Sequence, residues 1–482
     1  MRFRASFLRR GESMRRVLLP VLVAVVFVML STGNAAAEYR HRIALVGSNG
    51  LMVGSQTSDI DVDPSRAIAY LGSFVDLGVA VVDIRDRANP LVVKILSTDY
   101  VGADDRVASS DSADVDLHGN LLAVASQPFS EGGFGGVSLY DVGDVYNPVF
   151  KGQVRTGGTH DVQIDPGYPT RPYVYAANFE SEDPDHGFKV SIIDASDLTH
   201  PTILADYASP EPQGCANPVG CDGFGGPFNA AHDLTLLALP NGHTILYIAY
   251  WDSGFRLVDV TDAAHPREIG AIDYRPADTP ALPINEGSAG GTCCAHYIQP
   301  TPSGQYIVTE DELGVGGAGN AHIYRASGCD GVGVCTLTWA SDWSPPGRDV
   351  QANAIHATIN TDGRVWPTGI FQRFFTRDIH NLDVQEDRFL APAYSSGVFL
   401  VDMTEKAHPA MIAFWVGAAD VKTACHGQNT LIPYGYHGDC LFQAREVWGA
   451  KFGDAVPGSS SDFYIYASDF WDGLLILQTR SA

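Results

Sequence analysis

The chain has 482 residues, is 45% apolar and 18% charged, and carries a formal charge of −25 at pH 7. An acidic surface of this kind repels phosphate backbones and anionic lipid headgroups and favours cations, which excludes nucleic acid as a partner. Gly-rich phosphate loops, GxSxG elbows and kinase patterns are also missing from the sequence, so a nucleotide enzyme or an α/β-hydrolase is disfavoured.

Residues 1–37 read as a secretory signal peptide. Arg15 and Arg16 precede an apolar run from Val17 to Leu30, and Ala35, Ala36 and Ala37 follow as a small-residue cleavage site. Arg15-Arg16 also hints at the twin-arginine route, although the very apolar run suits ordinary export better. Removing this segment takes away six arginines and one glutamate, so the charge of −25 becomes −30. The run is short for a bilayer span and no second long apolar stretch follows. The mature protein is therefore expected outside the cytoplasm, periplasmic, at the cell surface or released, with no membrane-embedded segment.

Residues 38–482 read as one all-β domain. A lone strand, His41 to Val46, comes first, and then the phrase GVAVVDIRDRANP (Gly78 to Pro90) closes a unit that begins near Asp59. It returns as GVSLYDVGDVYNP (Gly136 to Pro148), KVSIIDASDLTHP (Lys189 to Pro201), GFRLVDVTDAAHP (Gly254 to Pro266) and GVFLVDMTEKAHP (Gly397 to Pro409), always with Asp and Pro seven apart. Each copy stands third among four short strand-like runs, the blade pattern of a β-propeller. The Asp is expected to bond backbone N–H groups of the next turn, and the Pro to start an outer strand where no N–H is needed. Units beginning at Asp59, Ala113, His160, His232, His296 and His380 make six blades, the fifth departing from the phrase. A last unit near Glu446 to Leu477 stops after three strands, so the N-terminal strand should complete it and close a seven-bladed ring.

Longer loops at residues 209–231, 275–292, 344–377 and 417–443 fall between one blade's outer strand and the next blade's inner strand, and should share one face. All eight cysteines lie in the mature part. Export makes disulfides the expectation, with Cys215–Cys221, Cys329–Cys335 and Cys425–Cys440 as sequence-local pairs. Cys293 and Cys294 either form a vicinal disulfide, reach other partners, or include a ligand.

The phrase LVDVTDAAHP and its copies resemble the LVIVD repeat of secreted bacterial β-propellers. His160-Asp161-Val162, His296 followed by Val308-Thr309-Glu310-Asp311-Glu312-Leu313, and His380-Asn381-Leu382 further resemble the exported LVIVD proteins grouped as choice-of-anchor B. The resemblance spans nearly all of residues 40–478. It implies a propeller fold and no common reaction.

The residues that can carry chemistry stand at the heads of successive inner strands. His160, His232, His296 and His380 open blades three to six, and inner strands line a propeller's channel, so the four imidazoles should converge. They form a candidate site for Zn, Cu, Mn or Fe, with Asp161, Asp233, Glu310 and Cys294 as additional ligands. Glu310-Asp311-Glu312 offers hard oxygen ligands, which places Ca²⁺ behind the transition metals. Trp251, Tyr394, Trp448 and Trp471 near the channel can stack on a sugar or another flat ligand. His200, His265 and His408, ahead of the repeat prolines, should be ordinary turn residues, and His356, His426 and His437 lie in the long loops. Two functions follow. One is a metal-dependent enzyme, oxidoreductase or lyase, acting on a small molecule or glycan. The other is a non-catalytic propeller in which the His ring is a duplicated structural contact and the loop face binds a protein or glycan.

Overall fold

The computed structural model describes residues 41–50, 57–74, 78–96, 100–101, 107–108, 110–128, 133–179, 185–210, 214–215, 228–251, 253–273, 295–312, 320–345, 379–394, 397–415, 447–470 and 472–481. Seven antiparallel blades follow one another. Blades 1 and 2 are joined into one sheet by a single pairing, Ser73 with Ser112, and each later blade is a separate four-stranded sheet. Residues 1–37, expected to be a signal peptide, most of the four long loops, and Cys221, Cys293, Cys294, Cys425 and Cys440 lie outside the described residues. Among the described residues no helix is long and apolar enough to cross a membrane.

The repeated phrase does what its chemistry dictates. Its Asp accepts from the backbone N–H two residues on, in Arg85 (2.9 Å), Gly143 (2.9 Å), Ser196 (2.8 Å), Thr261 (3.0 Å) and Thr404 (2.8 Å). The Pro then precedes the outer strands Leu91–Leu96, Val149–Arg155, Thr202–Tyr207, Arg267–Ile272 and Ala410–Trp415. His200 and His265 pair with Asp197 and Asp262 in exposed turns, at 3.2 and 3.0 Å, as expected of turn residues. Blade 5 dispenses with the phrase: Arg325 holds the Asp position, and the outer hairpin is closed by the expected Cys329–Cys335 disulfide.

The apolar core is divided between blades. Seven buried clusters each join two neighbouring blades; Tyr175 and Ile192 of blade 3, for example, pack on Leu246 and Val258 of blade 4. One cluster, with Ile60 and Val82 beside Tyr466 and Ile476, joins blade 7 to blade 1 and so closes the circle. Blade 7 itself is built from Val447–Ala455, Phe463–Asp469, Gly473–Ser481 and the N-terminal strand His41–Asn49, which pairs with Gly473–Ser481 from Asn49↔Leu474 to His41↔Ser481.

One buried charge stands apart from the channel. In blade 5, His322 Nδ1 and Nε2 meet Asp342 (2.6 Å) and Asp311 (2.9 Å). Burial opposes the charged ring, but the two carboxylates outweigh it and push His322 from 6.5 to about 9.

Deleting residues 1–50 removes the closing strand and bares the Gly473–Ser481 edge. The variant should melt at a lower temperature than a chain lacking only residues 1–37 and elute as a larger species on size exclusion; no change in either would show the closure to be dispensable. A folded-state value raised at His322 stabilises fully below pH 6.5 and is lost as pH rises through about 9. Unfolding measured from pH 6 to 10 should therefore show a steeper decline for the natural protein than for His322→Gln, and parallel curves would refute the ion pair's role.

Candidate metal centre in the channel

The channel residues are aimed by a recurring irregularity. The pairing of inner and second strands slips between Ser112 and Asp114, Thr159 and Asp161, Ala295 and Tyr297, and Val447 and Gly449, so the skipped residue in each case is a bulge. Bulges re-aim a side chain, and here they turn Ala113, His160, His296 and Trp448 to the axis. His232 and His380 occupy the same place in blades 4 and 6, their N–H groups bonded to Ala249 and Pro392 (both 2.9 Å). The result is a row of rings in blade order. Centroids are 4.2 Å apart from His160 to His232, 4.4 Å to His296, 4.2 Å to His380 and 4.0 Å to Trp448.

Three of the four imidazoles have a set orientation. His160 Nδ1 lies 3.0 Å from Gln127 Oε1, His296 Nδ1 2.7 Å from Glu310 Oε1, and His380 Nδ1 2.9 Å from the Trp448 carbonyl. A neutral ring that donates from Nδ1 presents its lone pair at Nε2, the state a metal ligand requires. Burial keeps all four rings neutral. It pushes His160 down to about 4, tempered by the water that its partly accessible side chain still meets, and it drives His232, His296 and His380 well below the usual imidazole range, helped by the neighbouring rings.

Carboxylates complete two overlapping groups, His160–His232–Asp233 and His232–His296–Glu312, in each of which the ligand atoms lie within 4.8 Å of one another. Each group has two adjacent rings and one carboxylate; His380 flanks them. Asp233 Oδ2 is 3.5 Å from both His232 Nδ1 and His296 Nδ1, and Glu312 Oε2 is 3.4 Å from His296 Nε2. Asp233 Oδ2, His232 Nδ1 and His296 Nε2 are buried with no hydrogen-bond partner. Two ligands about 2.1 Å from one tetrahedral ion would sit about 3.4 Å apart, so this spacing suits a shared cation better than direct bonds. Burial, with nearby acids, raises Asp233 well above the carboxylate range, and burial, against the Tyr394 hydrogen bond, raises Glu312 to about 7.

The other sequence candidates separate by role. Asp161 is a clip between blades: its Oδ2 accepts from the Leu234 N–H of blade 4, as Asp114 Oδ2 accepts from Val162 N–H of blade 3 (3.0 Å). Burial pushes Asp161 up to about 8. Glu310 orients His296 and also accepts from Asn381 N–H at 3.2 Å. Cys294 lies outside the described residues, as do Trp471, His356, His426 and His437. Glu310, Asp311 and Glu312 do not share one oxygen cage; they go to His296, His322 and Tyr394 respectively.

Above the row runs a collar of second-strand ends: Phe74, Gln127, Phe179, Trp251, Glu312, Tyr394 and Phe470, one from each blade. Trp251 stacks on His232 at 4.7 Å, Phe179 meets it edge-on at 4.6 Å, and Tyr394 meets His380 at 5.4 Å. Trp251 and Tyr394 hold positive φ, 36° and 40°, a strained backbone for bulky residues and one that clusters at functional sites. Tyr394 donates its hydroxyl to Glu312 Oε1, leaving Oε2 to face His296. The sequence marked Trp251, Tyr394 and Trp448 as channel aromatics and placed Glu312 in an acidic Ca²⁺ cluster rather than beside His296; the signal for the latter is that Glu312 holds the collar place of Trp251 and Tyr394.

The family described as the LVIVD repeat matches residues 245–273, which carry the last three strands of blade 4. No curated protein matches the chain. Among similar solved structures, the β-propeller domain of Cps50 (Swd1) from Myceliophteria thermophila is 10% identical, covers 89% of this chain and 98% of that one, and has a TM-score of 0.48. A functionally unknown protein from Desulfotomaculum acetoxidans DSM 771 is 10% identical over 76% of this chain and 91% of that one, with a TM-score of 0.45. A protein from Lactobacillus plantarum is 12% identical over 90% and 94%, with a TM-score of 0.45.

The two aspartates predict opposite behaviour in chelated protein. Asp161→Ala strands the Leu234 N–H and should cost about 1–3 kcal/mol in denaturant unfolding. Asp233→Ala strands no such group and removes an uncompensated buried acid, so stability should hold or rise. Equal losses for both would make Asp233 a structural residue like Asp161.

Proposed function

We propose that the channel of this seven-bladed β-propeller, whose fourth blade matches the LVIVD repeat, holds a divalent transition metal, Zn, Cu, Mn or Fe. The proposed ligands come from the row His160, His232, His296 and His380, with Asp233 and Glu312 as the anionic members. The observation that carries this reading is the set of buried, unpartnered atoms at His232 Nδ1, His296 Nε2 and Asp233 Oδ2, lying 3.4–3.5 Å from neighbouring ligand atoms. Such groups are costly to bury without a partner, and a cation held among them would satisfy those it touches.

Bound there, the ion would supply Lewis acidity or a redox couple. The chain's own residues do the rest. Glu310 holds His296 in the tautomer that offers Nε2, the Tyr394 hydroxyl fixes Glu312, and the aromatic collar limits water and offers flat faces to a small molecule or glycan. Export to an extracytoplasmic compartment fits the N-terminal signal pattern and the Cys329–Cys335 disulfide. A second reading, a binding or surface-interaction propeller whose polar ring is structural, is favoured by Asp114 and Asp161, which serve as clips between blades.

Elemental analysis of the purified mature chain, beside a His232→Ala, His296→Ala double variant, decides between them. A stoichiometric transition metal in the natural protein and its loss in a still-folded variant is the expected result. A metal-free protein that takes up no added Zn²⁺ or Cu²⁺, and whose melting temperature these ions do not raise, would leave the structural reading standing.

A further inference from the structure

The ring that belongs to both ligand groups is also the one whose Nδ1 is held by nothing. His160, His296 and His380 each commit Nδ1 to an acceptor, Gln127 Oε1, Glu310 Oε1 and the Trp448 carbonyl, and so can each serve one ion through Nε2. His232 Nδ1 has no hydrogen-bond partner despite full burial, and it sits 3.5 Å from Asp233 Oδ2. A ring that is to give a nitrogen to each of two ions can spend neither on a hydrogen bond to the protein.

The collar carries a second sign. It is aromatic in five blades and polar in two, at Gln127 and Glu312. Those two residues contact the outer rings of the two groups: Gln127 orients His160, and Glu312 Oε2 lies 3.4 Å from His296 Nε2. The departures from the aromatic pattern thus flank His232 on either side. A single divalent ion would serve only one group and leave the other's carboxylate and outer ring buried without a cation.

We infer that the channel holds two divalent cations bridged by His232, one with His160 and Asp233, the other with His296 and Glu312. This rests on the reading of the channel as a metal site. The bridge requires His232 to bind as imidazolate: its remaining N–H proton leaves to solvent, and the two nitrogen lone pairs form one bond to each ion. Any proton held on Asp233 or Glu312 likewise leaves to solvent as the ions enter.

The test loads the chelated mature protein with Cu²⁺ alone and reads bound copper by elemental analysis and unpaired spins by electron paramagnetic resonance. Two coppers per chain, with spin intensity that falls far below the copper content on cooling, is the expected result, because an imidazolate bridge couples the two spins. His160→Ala and Glu312→Gln should each bind one copper and recover one full spin per ion. One copper per chain in the natural protein, or two whose spins count independently, would overturn the bridge while leaving the metal reading intact. No bound copper would overturn both. Should either variant fail to fold, the copper and spin counts of the natural protein decide alone.

Discussion

Closing a ring of sheets leaves an awkward row of backbone groups at the axis. Each inner strand is paired along one edge with its own blade and turns its other edge toward the channel and the neighbouring blade. An open edge carries N–H groups that must find acceptors. Here carboxylates from the preceding inner strand supply them: Asp61 for Leu117 N–H (2.8 Å), Asp114 for Val162, Asp116 for Ile164 (2.7 Å), Asp161 for Leu234 and Asp383 for Phe452 (2.7 Å). Where the acid is absent, Gln299 Oε1 takes Val384 N–H at 3.0 Å. Blade closure therefore imports acidity into the axis, and the chemistry of the channel follows from that requirement.

Concentrating acids in a desolvated channel has a cost, which the chain meets in two ways. Burial shifts Asp114, Asp116 and Asp161 toward their neutral forms. Lys451, at the equivalent place in blade 7, stays charged against burial because Tyr297, Asp59, Asp383 and Asp61 surround it. Blade 7 also contributes Gly449, where a Cβ would lie 2.3 Å from Asp59 Oδ1; the missing side chain lets Asp59 approach and accept from Asn381 Nδ2 at 2.8 Å. A lysine built into the fold thus offsets part of the channel's acidity. Its charge also reaches Asp233, where burial and the acids Asp114, Asp59 and Glu312 outweigh it.

The blades were legible in the sequence because their signal is local. The Asp-to-Pro phrase fixes a strand, a turn and the next strand within thirteen residues; its five copies mark blades 1–4 and 6, and the spacing between them numbers the other two and brings the four histidines to equivalent positions. The division of labour around them was not legible. Asp161 and Asp233 follow a histidine in identical fashion, yet one accepts a backbone N–H 73 residues away and the other faces two rings. That difference depends on the register between neighbouring inner strands, which no short stretch encodes. Glu310-Asp311-Glu312 read as one acidic cluster because adjacency in sequence suggests adjacency in space. Strand alternation sends Asp311 to the opposite face, toward His322, and the end of the strand lifts Glu312 into the collar.

Duplication explains why such distinctions matter. Seven copies of a blade deliver seven equivalent side chains to the axis, and a symmetric ring of them needs no function beyond closure. A site that binds one kind of ligand at one place has to break that symmetry. Two breaks in this channel lie together: four successive blades carry imidazoles, and the collar turns polar at Gln127 and Glu312. Independent drift would scatter such departures around the ring. Around His232 they leave buried polar atoms unsatisfied, a state that apolar replacements would remove at no loss of stability and that a cation held there would relieve.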